Sequence, residues 1–345
     1  MLGVLFGELE MDVAFMQTPE GEWVVGYGPF EASARPPGTT AFYVNDFTLS
    51  DPAPWKIPAF HRRGDTLREM VSLTKGATAP AVEWRPVEKH GFKMAYRRVR
   101  REIRAGHLEK LVPVVTQCGR IVAGDPRTMV RRLDDQHGLA RWGYGCWGNG
   151  GGFMGVTPEK LFTVRGQRVE SMALAGTARD DDRDAFAADP KELAEHELVV
   201  GYLDEVLADL GTVTKSDRKL LDAGSLLHLC TPFEVELDDS VREEADWISK
   251  LHPTPALGCL PRTPSAMALL QEYRTRMQAP GFFGAPFGLA DETGMQVLVA
   301  IRGVGWNGDE IQLPAGCGII GSSVFDHELR EILLKHRAVR EQMGI

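Results

Sequence analysis

Short apolar runs closed by Gly and Pro recur along this chain, and helical stretches fall between them in no fixed order; that pattern limits the fold more than any single motif. In residues 1–60 the pieces "GVLF", "DVAFMQ", "EWVVGYG" and "TAFYVNDFTL" alternate with turn residues, as short antiparallel strands do. A parallel sheet needs strand and helix to alternate regularly, and here they do not. The expected class is therefore α+β. No repeat with a period of roughly 20–50 residues is visible.

Further along, the Pro-rich pieces "SDPAPWKIPAFHRRG" and "KGATAPAVEWRP" suggest a connector over 50–90. A basic amphipathic helix is expected over 92–105, with Phe92, Tyr96, Val99 and Ile103 as its apolar stripe, Gly106 as its stop and its arginines on a solvated face. "EKLVPVVTQCGRIVAG" reads as a strand made irregular by Pro113. "GGFMGVTPEKLFTVRGQRVESMALAGT" gives two or three more strands before the acidic loop "ARDDDRDAFAADP". Helices are expected for "KELAEHELVVGYLDEVLADLG", "AGSLLHL", "DDSVREEADWISKLHP" and "PSAMALLQEYRTRM", with "CTPFEVEL" as a strand. Residues 281–320 suggest a three-stranded meander, and a helix over 326–343 closes the chain.

Composition excludes several functions. A net charge of -9 argues against nucleic acid, whose phosphates select basic surfaces. The five cysteines are odd in number and lack Cys-x-x-Cys spacing, which fits reduced thiols better than disulfides or zinc. "MLGVLFGELEMDVAF" has no basic start and no signal-type apolar core, and no long uncharged apolar run follows. A soluble, cytoplasmic protein that binds neither membrane nor nucleic acid is expected, with a monomer allowed.

Common catalytic motifs are absent. "GYGCWG" at 143–148 has dinucleotide-loop spacing, but the following "NGGGFMGVTPEK" cannot start the helix such a loop requires. "HELRE" ends in Glu where a zinc-protease helix has its second His. What remains is carboxylates. Glu192 and Glu195 sit three apart in "PKELAEHE", and Glu328 and Glu331 repeat the spacing in "DHELREILLKHR", with Lys335 on the same face. Such pairs are either solvated charge or, if they converge, an all-oxygen site suited to Mg²⁺. Arg302 at the end of "VLVAI" is either a structural ion pair or a fork for a substrate carboxylate. Lys110 either snorkels or, if buried, serves as a base. His252, in the Pro-punctuated "LHPTPALG", is a structural or a catalytic imidazole.

"ESMALAGTARD", "AEHELVVGYLDEVLADLG", "LHPTPALGCLPR", "GFFGAPFG", "VLVAIRG" and "LPAGCGIIGSSVFDHELREILLK" follow one another as in the chorismate-utilising enzymes, the family of anthranilate, aminodeoxychorismate, isochorismate and salicylate synthases. The resemblance covers roughly residues 90–343. It implies two large antiparallel β-sheets sandwiched between helices, chorismate as substrate and Mg²⁺ as cofactor. By position, Glu195 and Glu331 resemble direct metal ligands, and Glu192 and Glu328 ligands acting through water. Arg302, Lys335, the backbone at Gly316 and the Gly176–Thr177 turn resemble the groups that hold chorismate's two carboxylates, and Phe283 a pocket-lining aromatic.

Lys110 resembles the base that deprotonates water for attack at C2, and Glu159 in "GVTPEKLF" the acid that protonates the departing C4 hydroxyl. Ala256 and Leu257 match the isochorismate synthase form of their loop. The resemblance thus implies an isochorismate synthase; the alternatives are a salicylate synthase, an aminating enzyme with a separate glutaminase, and a non-catalytic chorismate-binding protein. Departures are Pro113 in an otherwise apolar strand and the acidity of "ARDDDRDAFAADP". Residues 1–85 read as a strand-rich lobe and connector, and 86–345 as the chorismate-binding region, within one compact domain.

Overall fold

The structure, a computed structural model, describes residues 11–134, 141–148, 150–179, 183–238 and 247–345. The strand expected for "GVLF", the start of the helix in "DDSVREEADWISKLHP" and the middle of "ARDDDRDAFAADP" lie outside the described residues.

The first strands are β1 (Val13–Gln17), β2 (Trp23–Ser33), β3 (Ala41–Val44), β4 (Trp55–Gly64) and β5 (Ala81–Trp84). They are followed by β6 (Lys110–Leu111), β7 (Val114–Ala123), β8 (Trp142–Gly148), β9 (Gly151–Thr157), β10 (Lys160–Arg165) and β11 (Arg168–Arg179). The remainder are β12 (Gly211–Lys215), β13 (Lys219–Asp222), β14 (Leu226–Leu237), β15 (Cys259–Leu260), β16 (Pro286–Asp291), β17 (Gly294–Val299), β18 (Gly303–Asn307) and β19 (Glu310–Gly316). The helices are α1 (Leu67–Met70), α2 (Lys89–Arg104), α3 (Arg183–Ala187), α4 (Pro190–Ala208), α5 (Trp247–Leu251), α6 (Pro264–Arg276) and α7 (Phe325–Met343).

Among the described residues, seventeen strands form one antiparallel ladder. Its order is β5–β7–β19–β18–β9–β8–β1–β2–β4–β3–β16–β17–β10–β11–β14, with β12 and β13 following one another along the far edge of β14. The two expected sheets are the wings of this ladder, joined where β2 pairs with β4. Strands β1–β4, from residues 13–64, thus sit in its middle, while β5 forms one edge beside β7.

The wings share a core: Met16, Val24, Tyr144 and Phe153 of one meet Phe42, Phe287 and Leu298 of the other. Phe153 stacks on Phe282 at 4.9 Å and meets Phe287 edge-on at 5.8 Å, geometries that aromatic quadrupoles favour. Helices cover the outer faces. α4 packs Val199, Leu203 and Leu207 on one wing. α7 sets Val339 and Met343 against Ile311 and Leu313 of the other. α2 lies beside α6 and α7, burying Phe92, Ala95 and Val99.

Three expectations fail on pairing. "AGSLLHL" is not a helix: Leu226 begins β14, which here is paired by β11 on one side and β13 on the other. A strand buried on both faces shows a continuous apolar run, which periodicity alone cannot tell from a short buried helix. The 50–90 connector contains β4, whose Pro58 pairs at the register shift in β2. The 281–320 meander has four strands, because Arg302 turns a corner between β17 and β18.

Candidate active site

The two glutamate pairs converge because each helix is positioned by its own local chemistry. α4 starts at Asp189, whose carboxylate accepts from the backbone N–H groups of Lys191 and Glu192, with Pro190 in the first turn. α7 buries Glu328, Ile332, His336, Val339 and Met343, a helical stripe that places Glu328 inward, and it ends at Gly344 in the left-handed conformation. Glu192, Glu195, Glu328 and Glu331 thereby surround one point.

That point holds Lys191, a residue not singled out in the sequence. Its Nζ is 2.8 Å from Glu195 Oε2, 3.0 Å from Glu192 Oε1, 3.5 Å from Glu328 Oε1 and 3.9 Å from Glu331 Oε2. Among the described residues no three acidic, His or Cys side chains are already drawn to metal-ligating distance. The donor set nevertheless fits a hard cation: all four groups are carboxylates, and Glu192 Oε2 and Glu328 Oε2 are buried with no hydrogen-bond partner.

Beside the cluster lies a cleft of about 600 Å³. Of the residues expected at a site, it is lined by Glu159, Gly176, Thr177, Glu195, Ala256, Leu257, Phe283, Arg302, Gly316, Glu331 and Lys335. Gly176 and Thr177 fall in a bulge of β11, between Ala175 and Ala178, where the strand kinks away from β14. Lys335 reaches the Gly316 carbonyl at 2.7 Å and Glu331 at 2.6 Å. Lys110, fully buried in β6, puts its Nζ 3.0 Å from Glu195 Oε1, behind the cleft wall.

Burial sets the charge states. It pushes Glu159 up to about 7, despite the opposing charges of Lys110, Lys335 and Arg302. It also raises Glu192 and Glu328, with neighbouring glutamates adding to the shift. Burial would raise Glu195 too, but Lys110 and Lys191 overcome it and hold that carboxyl low. Lys191 is the converse: burial disfavours its charge, and the four glutamates more than restore it.

His228, also missed in the sequence, organises the opposite wall. Burial first, then the charge of Arg302, holds its pKa well below the usual imidazole value, so the ring is neutral. One ring nitrogen then donates and the other accepts. Nδ1 lies 2.6 Å from the Gly176 carbonyl and donates to it, leaving Nε2 to accept from Arg302 Nη2 at 3.1 Å. Burial lowers Arg302 only to about 10, so it stays cationic. Its φ of 55° is a region bulky residues rarely adopt, and such strain concentrates at functional sites.

His252 is not brought to the cleft, which corrects its candidacy as a catalytic group. Its Nε2 is hydrogen-bonded to the Phe47 carbonyl at 2.8 Å, its ring packs edge-on against Phe47, and burial lowers it to about 4. It braces the loop carrying Ala256 and Leu257.

Gly318 lies tight against the Lys110–Glu195 pair. A Cβ on Gly318 would overlap Glu195 Oε1 and stand 2.5 Å from Lys110 Cε. Gly318→Ala is expected to lower stability by about 1–3 kcal/mol, the usual cost of overpacking. Chemical denaturation measures it; an unchanged midpoint and slope would show that the wall can yield.

A cleft between helices and a two-winged antiparallel ladder, lined by carboxylates together with a guanidinium and an ammonium group, defines an enzyme-like site for a small anion. A profile described as "Chorismate binding enzyme" matches residues 60–344, and the chain belongs to that family. It is 31% identical over 253 residues to the salicylate biosynthesis isochorismate synthase of Pseudomonas aeruginosa, covering 70% of this chain and 52% of that protein. It is 34% identical over 223 residues to isochorismate synthase MenF of Bacillus subtilis, covering 61% and 46%. The chain thus spans about half the length of these two relatives. The fold is shared with the menaquinone-specific isochorismate synthase MenF of Escherichia coli, at a TM-score of 0.76, 18% identity and coverage of 98% and 90%. No helix among the described residues is long and apolar enough to cross a membrane.

Proposed function

We propose that this chain is an isochorismate synthase, converting chorismate to isochorismate with Mg²⁺ held by Glu192, Glu195, Glu328 and Glu331. The observation carrying this reading is Glu159, which lines the cleft and is kept protonated up to about pH 7 by burial, with a buried lysine, Lys110, behind the wall that Glu195 forms. The names of the relatives support the same activity.

In this mechanism Lys110 removes a proton from water as its oxygen bonds to C2 of the ring. The ring double bonds shift, the C4–O bond breaks, and Glu159 gives its proton to the leaving oxygen, which departs as water. One water enters and one leaves, so the net change is an isomerisation. Mg²⁺, when bound, neutralises substrate carboxylate charge. Arg302 and Lys335, with the backbone at Gly176–Thr177 and Gly316, orient the carboxylates, and His228 keeps the Arg302 fork in register. Phe283, Ala256 and Leu257 shape the apolar side and exclude bulk water.

Incubation with chorismate and Mg²⁺, resolved by chromatography, tests the activity: isochorismate is expected. Salicylate with pyruvate, an ammonia-dependent amino product, or unchanged chorismate would each replace this reading. Arg302→Lys retains charge but loses the planar fork. An increase in KM of roughly 10–100-fold is expected, from a charged hydrogen bond worth about 1.5–3 kcal/mol. A wild-type KM in steady-state kinetics would remove Arg302 from carboxylate binding.

A further inference from the structure

The four-carboxylate cluster is already filled by a cation of the protein's own. Lys191 sits in the first turn of α4, where the helix dipole disfavours positive charge, so the carboxylates and not the helix retain it there. Its side chain is 17% exposed, beside Glu192 at 15% and Glu331 at 12% on the open side of the cluster, with Glu195 at 6% and Glu328 at 1% beneath. The lysine therefore enters from the solvent side, with a way out. An ammonium has only three protons to donate. It offsets part of the charge in the cluster but leaves Glu192 Oε2 and Glu328 Oε2 unpartnered in the interior. A divalent cation brings twice the charge and takes more oxygens.

We propose that Lys191 is an internal competitor for the divalent-cation site: it holds the four glutamates together in the metal-free protein and swings out to solvent as the cation enters. The proposal rests on the assignment of these glutamates to Mg²⁺. Its flexible stem allows the movement, because among the described residues the ammonium is held by the glutamates alone. Metal affinity is then set by the difference between two cations for one cage. A site that must first be vacated binds more weakly by the fraction of time it is vacant.

Binding of Mn²⁺, followed by calorimetry and by its electron spin resonance signal, tests this in wild type and Lys191→Met. If the lysine occupies the cage nine-tenths of the time, the variant binds at least about tenfold more tightly. In chelator the variant melts below wild type, and Mg²⁺ restores more of its melting temperature than it adds to wild type. Equal or weaker Mn²⁺ binding by the variant overturns the competition while leaving the metal site standing; no binding by either protein overturns both. If Lys191→Met does not fold even with Mg²⁺, acetylation of the wild-type protein read by peptide mass spectrometry decides. Labelling of Lys191 should rise severalfold when Mg²⁺ is added while exposed Lys75 is unchanged. Constant or reduced labelling of Lys191 overturns the proposal.

Discussion

Lys110→Gln is expected to cut chorismate turnover by about 10²–10⁴-fold, the usual contribution of a positioned base. Lys110 is fully buried and its Nζ lies 3.0 Å from Glu195 Oε1, so the substitution has two routes to an effect. It removes the proton acceptor, and it deprives a buried carboxylate of one partner. The second route costs stability, about 3–5 kcal/mol when one member of a buried pair is lost. Gln limits that cost because its amide can still donate to Glu195. The two routes separate in the kinetics. Loss of a base lowers kcat and leaves KM and Mn²⁺ affinity near wild type. Damage through Glu195 would instead weaken Mn²⁺ binding. A folded variant with wild-type turnover ends the assignment.

How much of this is written in the sequence differs from residue to residue. Glu192, Glu195, Glu328 and Glu331 are legible as a pattern because helical spacing fixes which side chains share a face, but spacing cannot say whether two faces meet. Only the order of motifs and the packing of α4 and α7 do that. Lys191 has the same spacing to Glu195 as an ordinary surface pair, and nothing local marks it as buried. His228 lies in a Leu-rich run that reads as a helix, so its ring could not be placed opposite Arg302 before β14 was known to pair on both sides. The α+β class and Pro113 at the break between β6 and β7 follow from local rules alone. The joining of both wings through β2 and β4 depends on contacts distant in sequence, and no local pattern encodes it.

Glu159→Gln is expected to lower turnover by a comparable factor, about 10²–10⁴-fold, and to change the pH dependence of both rate and stability. In the wild type, burial raises this carboxyl from 4.5 to about 7, so it carries its proton through the acidic range and loses it as the pH passes about 7. Because only the protonated form can serve as the acid, wild-type kcat/KM should fall above that point, and the variant should lack that descending limb. The stability effect has the opposite sense to that of a salt-bridged carboxylate. The folded state binds this proton more tightly than the unfolded state, so the wild type is most favoured below about pH 4.5 and loses that contribution as the pH rises to about 7. A shift of this size corresponds to about 3 kcal/mol at most. Glutamine stays neutral at every pH, so with chelator present the stability difference between variant and wild type should grow in the variant's favour from pH 5 to pH 8. Denaturation at both pH values measures it, and the subtraction cancels Glu192 and Glu328, which titrate in both proteins. A difference that does not change with pH would mean that Glu159 is already ionised in the folded protein, and an ionised carboxylate has no proton to give the departing hydroxyl.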